Sequence, residues 1–151
     1  MRVSARSDYA VRALIEVAAR PGEPVTAEMV SRAQQIPLKF LLGILGDLRR
    51  AGLVRSQRGP SGGYLMDREP ASITVADIMR AVDGPLASVQ GARPESMQYP
   101  GAAAKLSEVW VALRASLRSV LEAVTLADLV AGDLPPIIGE LTADAEAWSR
   151  R

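Results

Sequence analysis

Residues 38–67 read LKFLLGILGDLRRAGLVRSQRGPSGGYLMD, and the fold can be worked out from this segment. Its leucines recur at helical spacing as far as Ala51, and Gly52 is a natural end cap for that helix. Residues 53–57 and 64–67 have the composition of short strands, and three glycines and a proline lie between them. The segment therefore predicts a helix followed by a β-hairpin with a glycine-rich tip.

Two shorter helices are predicted before this segment. The first begins at Ser7, whose side chain can accept hydrogen bonds from the first free amides, and Thr26 caps the second. The buried side of the second helix is predicted to be Met29, Val30 and Ala33. Pro37 is suited to begin the third helix, and a fourth helix capped by Thr74 follows the hairpin. This order predicts a winged helix-turn-helix domain, mainly α with a small two-stranded β-wing.

The third helix, at about residues 38–51, has two distinct faces. Its inner face is predicted to consist of Leu38, Leu41, Leu42, Leu45 and Leu48. Its outer stripe consists of Lys39, Gly43, Gly46 and Arg50. An interior glycine costs about 1 kcal/mol relative to alanine, and a close approach of the helix backbone to another surface would offset that cost. We therefore expect the outer stripe to enter the major groove of DNA, with Arg58 of the hairpin tip in the minor groove.

The second half of the chain predicts a dimer. Apolar residues alternate at spacings of four and three, as in a coiled-coil seam, at Leu106, Trp110, Leu113, Leu117, Val120 and Val124. A dimerisation helix is predicted over residues 102–124, and a capping pattern at Thr125 leaves open whether it breaks there. The predicted organisation is a DNA-binding domain at 1–84, a loop at 85–101, a dimerisation helix region at 102–131 and a C-terminal tail at 132–151.

The composition excludes several classes of function. The sequence contains no cysteine and no histidine, so disulfides, thiolate clusters and the commonest general base are absent. We expect no enzyme, no metal and no cofactor, and catalysis by paired carboxylates ranks last among the hypotheses. No apolar run approaches the roughly 18 residues of a membrane helix, and the N-terminus does not read as a signal peptide. A cytoplasmic protein with no membrane partner is therefore expected.

Positive charge is concentrated in the first half of the chain. The net charge is only +1, but residues 1–69 carry 11 Lys and Arg against 7 Asp and Glu, whereas residues 70–151 carry 7 against 10. A basic segment in a nearly neutral chain favours a polyanionic partner such as DNA. On charge alone, an ordinary solvated surface stays open as the alternative.

Four segments, in this order, resemble the Rrf2-type (IscR/NsrR/CymR-like) winged-helix regulators of bacteria. They are residues 1–4 with 9–14, then 48–54, 58–64 and 73–78. The resemblance covers about residues 1–131. It implies a homodimeric DNA-binding transcriptional regulator, usually a repressor, with a dimer-forming long helix and a sensor in the preceding loop. Cluster-binding members carry three cysteines where this chain has residues 91–105 without any, so no iron–sulfur cluster is expected.

The predicted partner is double-stranded DNA with a near-palindromic operator. The expected DNA-binding residues are Arg6, Tyr9, Leu38, Lys39, Gly43, Arg50, Arg58, Ser61 and Gly62. The role of Arg6 follows from the resemblance, while Tyr9 fits core packing and phosphate contact equally well. A winged-helix module that binds a protein and not DNA is the alternative function. An unknown small-molecule effector near the loop also stays open.

Overall fold

The computed structural model describes residues 2–149; Met1, Arg150 and Arg151, which belong to the predicted terminal segments, lie outside the described residues. The helices are α1 (Ala5–Ala18), α2 (Ala27–Gln34), α3 (Leu38–Arg50), α4 (Val75–Asp83), α5 (Leu106–Leu121), α6 (Leu126–Ala131) and α7 (Pro136–Thr142), and the strands are β1 (Val54–Gln57) and β2 (Gly63–Met66). Short 3₁₀ turns occur at Pro70–Ser72, Pro94–Ser96, Gly101–Ala103 and Ala145–Trp148. The predicted class, mainly α with a two-stranded wing, is confirmed. Within the described range, no helix combines the length and apolarity needed to cross a bilayer.

One apolar cluster holds the N-terminal helices together. Its largest members are Leu14, Ile36, Leu41, Ile44, Leu45, Leu48, Ile73, Ile78 and Leu126, each at most 1% exposed. Complete burial of one such side chain contributes about 1.5–3 kcal/mol. Because Leu126 belongs to α6, the C-terminal half of the chain is anchored in the core of the N-terminal half.

The first helix begins earlier than predicted. Ser4 is the N-cap of α1, and its hydroxyl oxygen accepts a hydrogen bond from the Ser7 amide at 2.9 Å. Ser7 lies inside the helix, fully buried, and its own hydroxyl donates to Oδ2 of Asp83 at 2.6 Å. The prediction of a cap at Ser7 is therefore wrong. Two serines three residues apart suit the cap equally well, and both hydroxyls donate to the Asp83 carboxylate in α4; Ser7 is buried inside the helix, and Ser4 is left as the cap.

The helix-turn-helix pair has the predicted caps but different buried faces. Thr26 caps α2 as predicted, but Met29 is 40% exposed and Ala33 is also exposed. In α3, Leu42 is 50% exposed, and Ile44 takes its predicted place in the core at 1% exposed. The assignment of these inner faces was therefore partly wrong. Leucines flank the core stripe of α3 on both sides, so the apolar pattern alone does not define the centre of the stripe.

The wing is a hairpin tied to the rest of the domain. β1 and β2 pair antiparallel from Val54 opposite Met66 to Gln57 opposite Gly63, so β1 begins one residue later than predicted and β2 begins and ends one residue earlier. Val25, just before α2, extends the sheet: its amide donates to the Tyr64 carbonyl at 2.9 Å, and the Tyr64 amide donates back at 2.8 Å. The base of the wing is thereby held against the turn between α1 and α2.

The long helix is shorter than predicted. α5 has 16 residues, which corresponds to about 24 Å at 1.5 Å per residue, and it ends at Leu121. Beyond it, Thr125 and Asp128 form a capping box that begins α6, so the chain does break before Thr125. Val124 lies outside α5, is only 6% exposed, and its carbonyl accepts the Val75 amide at 2.9 Å. The prediction of a helix over 102–124 is therefore wrong at both ends.

The loop before α5 packs against that helix. Nε1 of Trp110 donates to the Tyr99 hydroxyl at 3.1 Å, and Arg114 pairs with Glu95. One side of α5 is thus covered by its own chain, whereas Val109 and Leu113 on the adjacent side are 55% and 41% exposed.

In the tail, Trp148 is 77% exposed, although its Nε1 donates to the Thr142 carbonyl at 2.9 Å.

Candidate nucleic-acid interface

The outward side of α3 is open and nearly flat. Lys39 and Gly43 are both exposed, and a Cβ added at Gly43 would meet no atom within 4 Å. Phe40 and Leu42 flank them at 62% and 50% exposed, which leaves two large apolar side chains beside the basic stripe. Leu38, at the start of the helix, is half-buried, and no side chain caps the first turn. A surface of this shape can lie against a broad groove with the helix backbone close to its floor.

The apolar flank was not predicted. Leu42 was assigned to the core, and Phe40 was given no role. The signal that could have found them is the number of apolar residues in α3, because Leu38, Phe40, Leu41, Leu42, Ile44, Leu45 and Leu48 cover more than the roughly 100° that a core stripe needs. An apolar side chain at this position can contact a thymine methyl group in the major groove.

A shared carboxylate organises the basic residues around α3. Asp47, whose side chain is 18% exposed, pairs with Nη2 of Arg6 from α1 and with Nη2 of Arg50 one turn along α3. Arg6 also donates from Nε to the Val82 carbonyl at 3.1 Å. Two guanidinium groups therefore surround one carboxylate, leaving one excess positive charge. Because exposed ion pairs are worth only about 0–1 kcal/mol, a phosphate can compete with Asp47 for these arginines.

Tyr9 lies at the junction of α1 and α3. It packs against the apolar cluster, and the Arg12 guanidinium carbon stands 5.5 Å from the centre of its ring. A cavity of about 310 Å³ opens beside it, lined by Ala5, Arg6, Tyr9, Phe40 and Ile44. Arg12 itself joins α1 to α2, donating from Nε to Oε1 of Gln34 at 3.1 Å. The Tyr9 ring is therefore partly core, with its position set by neighbours on three helices.

The tip of the wing depends on glycine for its shape. The Gly62 amide donates to the Gly59 carbonyl at 2.9 Å, and a Cβ at Gly62 would lie 2.3 Å from the Gln57 carbonyl oxygen. Gly62 is therefore required by the turn itself. Arg58 and Ser61 are exposed on the same turn and point no polar group into the core. An arginine is thus presented at the outermost part of a rigid hairpin.

Hydrogen bonds from charged side chains link the elements of this surface. Nη1 of Arg49 donates to the Ser56 hydroxyl at 3.3 Å, which links the end of α3 to β1. Glu16 accepts from Arg20 at 2.8 Å and from Gln34 at 2.6 Å, and these hydrogen bonds hold the pKa of Glu16 below its ordinary value. Arg49 therefore contacts the wing from the last turn of α3.

Comparison with known proteins identifies the family. The family model described as "Rrf2: Iron-dependent Transcriptional regulator" matches residues 3–132. The chain belongs to the Rrf2 family of transcriptional regulators. An Rrf2 relative, the putative HTH-type transcriptional regulator Rv1287 of Mycobacterium tuberculosis, is 47% identical over 148 residues, covering 97% of this chain and 92% of that protein.

Solved Rrf2 structures agree with the fold. CymR, described as the global cysteine regulator of B. subtilis, superposes with a TM-score of 0.73 at 31% identity, covering 87% of this chain and 97% of that one. The IscR of T. potens gives a TM-score of 0.70 at 30% identity, covering 100% of this chain and 93% of that one. The winged-helix fold and the role as a transcriptional regulator, which is not an enzyme, are therefore confirmed.

Iron does not fit the side chains of this Rrf2 member. Iron–sulfur clusters are held by cysteine thiolates, with histidine as the substitute ligand in some, and the sequence contains neither residue. Over residues 2–149, carboxylates do not form any group of three or more that could hold a metal ion. The family description names iron, but the residues that the structure describes do not provide a set of side chains that could bind it.

Proposed function

We propose that this protein is a homodimeric, sequence-specific DNA-binding repressor that acts without an iron–sulfur cluster. The observation that carries the proposal is the exposed stripe of α3, where Lys39 stands beside a glycine whose missing side chain leaves open space. An interior helix glycine costs about 1 kcal/mol, and contact between helix backbone and DNA is what offsets that cost. A DNA-binding repressor of this kind acts in the cytoplasm.

The proposed contacts fall into two sets. Leu38, Lys39 and Gly43 enter the major groove, while Arg6, Tyr9 and Arg50 contact the phosphates that border it. In the wing, Arg58 enters the minor groove, Ser61 contacts the backbone beside it, and Gly62 keeps the turn tight enough to fit. The surplus positive charge around Asp47 and the exposure of Arg58 support this assignment, because both leave guanidinium groups available to phosphate.

The proposed dimer uses the uncovered side of α5. Leu106, Leu113 and Val120 of the predicted seam lie on one side of the helix, and the exposed Val109 lies between them. The other predicted members of the seam are Trp110, Leu117 and Val124. Trp110 and Leu117 line a cavity against the preceding loop, and Val124 is buried in its own protomer. Leu113 borders the same cavity but is still 41% exposed, so we place the contact between subunits on the first set. Two reading helices related by a two-fold axis would read half-sites about 34–36 Å apart.

The test compares the DNA affinity of the wild-type protein with that of two single-substitution variants and one matched control variant. Lys39→Ala and Arg58→Ala should each weaken binding to a duplex from the region upstream of the protein's own gene about tenfold or more. Each should also reduce the salt dependence of binding by about one unit of the log–log slope. Lys105→Ala removes the same charge from a side chain that is 86% exposed and distant in sequence from α3, and should leave affinity unchanged.

The measurement is fluorescence anisotropy or gel mobility shift over a range of salt concentrations. If both α3 and wing variants bind as tightly as the control, the assignment of reading helix and wing fails. If the wild-type protein shows no affinity for duplex DNA at low salt, the proposed function fails as a whole. Repression is tested separately, by adding the protein to an in vitro transcription reaction from the bound promoter, where transcript should decrease.

A further inference from the structure

A cavity of about 590 Å³ lies where α4, the loop that follows it and α5 meet. Its charged lining residues are Arg80, Arg93, Glu95, Arg114 and Arg118. The rest of the lining is formed by the main chain and small or apolar side chains of residues 84–87. Four arginines thus line one concave surface, on elements other than α3 and the wing.

The ion pairs leave this arginine cavity with excess positive charge. Arg80 and Arg118 share the carboxylate of Glu122, at 2.5 Å and 3.0 Å, and Arg114 pairs with Glu95. The fourth arginine comes from the loop. Arg80 also pairs with Asp77 at 3.5 Å, so three carboxylates serve the four arginines and one excess positive charge remains at the cavity.

The carboxylates of Glu95 and Glu122 stay ionised at neutral pH. Hydrogen bonds from Arg118 and then Arg80 lower the pKa of Glu122 below its ordinary value. The pKa of Glu95 is lowered first by a backbone hydrogen bond and then by Arg114. Both groups therefore stay available at neutral pH to pair with the arginines that line the cavity.

Arg93 is the residue best placed to receive a ligand. It is exposed at the rim, and it forms no ion pair with any other residue between 2 and 149. The other three arginines are already oriented by their carboxylates. A ligand with negative oxygens would thus find three pre-positioned guanidinium groups and one that is free to close onto it.

We propose that the arginine cavity binds a small anion that carries two or more negative charges on phosphate or carboxylate oxygens. A planar guanidinium group matches both kinds of oxygen in a two-point hydrogen bond. The volume lies within the range of about 300–1,000 Å³ that is typical of small-molecule sites. Binding needs no DNA, and only its consequence for DNA binding rests on the proposed function.

α4 connects the cavity to the reading helix. The last turn of α4, which borders the cavity, offers the Val82 carbonyl to Nε of Arg6 at 3.1 Å and the Asp83 carboxylate to the Ser7 hydroxyl at 2.6 Å. Arg6 in turn pairs with Asp47 of α3. A ligand that shifts the end of α4 therefore changes the position of a guanidinium group that competes between Asp47 and DNA phosphate. The anion is accordingly an effector of DNA binding.

The cavity remains accessible in the proposed dimer. Successive residues of an α-helix are about 100° apart, so Arg114 and Arg118 lie about 100° and 140° around α5 from Leu113. A partner helix packed on Leu113 thus leaves the arginine side of α5 uncovered. Each protomer carries its own complete set of arginines.

The first test is calorimetry of the full-length protein with inorganic pyrophosphate at constant ionic strength, with citrate as a second arm. Saturable binding of one anion per protomer is expected. Arg93→Ala should bind about tenfold more weakly, and Lys105→Ala, which removes the same charge just before α5 and outside the cavity, should bind as the wild type does. Tighter pyrophosphate binding indicates a phosphate ligand, and tighter citrate binding a carboxylate. Equal affinity for Arg93→Ala and wild type, or no binding to either probe, would overturn the proposal.

The second test measures affinity for the upstream duplex with and without a saturating concentration of the better probe. A change of at least threefold in the wild type that disappears in Arg93→Ala supports the role as effector. A change that persists in Arg93→Ala shows simple competition at the DNA surface and overturns that role. Because calorimetry is done without DNA, loss of the anion site and loss of DNA binding are separately detectable.

Discussion

Replacement of Gly43 by alanine should raise the stability of the protein while weakening its binding to DNA. Gly43 lies within α3, its backbone does not adopt a positive φ, and an added Cβ meets nothing within 4 Å. Alanine is favoured over glycine inside a helix by about 1 kcal/mol, which for a chain of this size raises the melting temperature by about 2–4 °C. The free protein therefore has no structural reason to keep glycine at this position.

DNA provides the reason if α3 is the reading helix. A methyl group at Gly43 would stand on the surface that approaches the groove, and overfilling a close-packed contact costs about 1–3 kcal/mol. Affinity for the upstream duplex should therefore fall about tenfold or more. The effects on stability and binding have opposite signs, so loss of folded protein cannot imitate the result.

A matched control is available in the same chain. Gly139 lies in α7, has no positive φ, and likewise has no atom within 4 Å of an added Cβ. Gly139→Ala should stabilise its helix by a similar mechanism without affecting DNA binding. Thermal unfolding by circular dichroism and binding by anisotropy measure the two quantities. Unchanged or tighter DNA binding by Gly43→Ala, together with a raised melting temperature, would refute the close approach of α3 to DNA.

Three further predictions address the dimer, pH and the wing. Leu113→Arg places a charge on the exposed side of α5 and should convert a dimer to a monomer in light scattering; an unchanged mass would show that the subunit contact lies elsewhere. Glu16, held by Arg20 and Gln34, has a folded-state pKa below its ordinary value of 4.5, so its contribution to stability is present above that value and is lost as the pH falls through the folded-state pKa. When the free energy of unfolding is measured by urea denaturation from pH 7 to pH 3, it should therefore fall more steeply with pH for the wild type than for Glu16→Gln. Parallel plots of unfolding free energy against pH for the two proteins would count against this role. Gly62→Ala would put a Cβ 2.3 Å from a main-chain carbonyl oxygen and should destabilise the wing by about 1–3 kcal/mol, measured by hydrogen exchange of the hairpin amides; wild-type protection there would contradict the strain.

Features that depend on residues close together in sequence could be predicted from the sequence by itself. The caps at Thr26 and Thr74 and the hairpin with its glycine tip all appear as predicted, within one residue at the strand ends. Gly52 ends α3 with φ +71, as its position after the last leucine indicates. Each of these is decided within about five residues, because a cap, a turn or a helix end satisfies backbone groups that belong to the same short segment.

The tertiary structure decided which of several equivalent local choices is used. Ser4 and Ser7 could each cap α1; in the fold both hydroxyls donate to Asp83, which is distant in sequence, and packing buries Ser7 inside the helix and leaves Ser4 as the cap. Arg6 and Arg50 were predicted only as DNA contacts, and in the fold both pair with Asp47. The Asp47–Arg50 pair has helical spacing, but Arg6 and Asp47 lie on different helices far apart in sequence, so only the packing of α1 against α3 brings their charges together.

The boundary of α5 shows the same division. The seam from Leu106 to Val124 has an uninterrupted spacing of four and three, and that spacing favours one helix. The helix nevertheless stops at Leu121, because the Val124 carbonyl and the Leu126 amide form hydrogen bonds with residues at the start of α4, and Leu126 is buried in the core. The spacing of apolar residues in the sequence determined which residues form one apolar stripe. Burial and backbone hydrogen bonds between distant segments decided where the helix ends and which residues of the stripe pack within their own subunit.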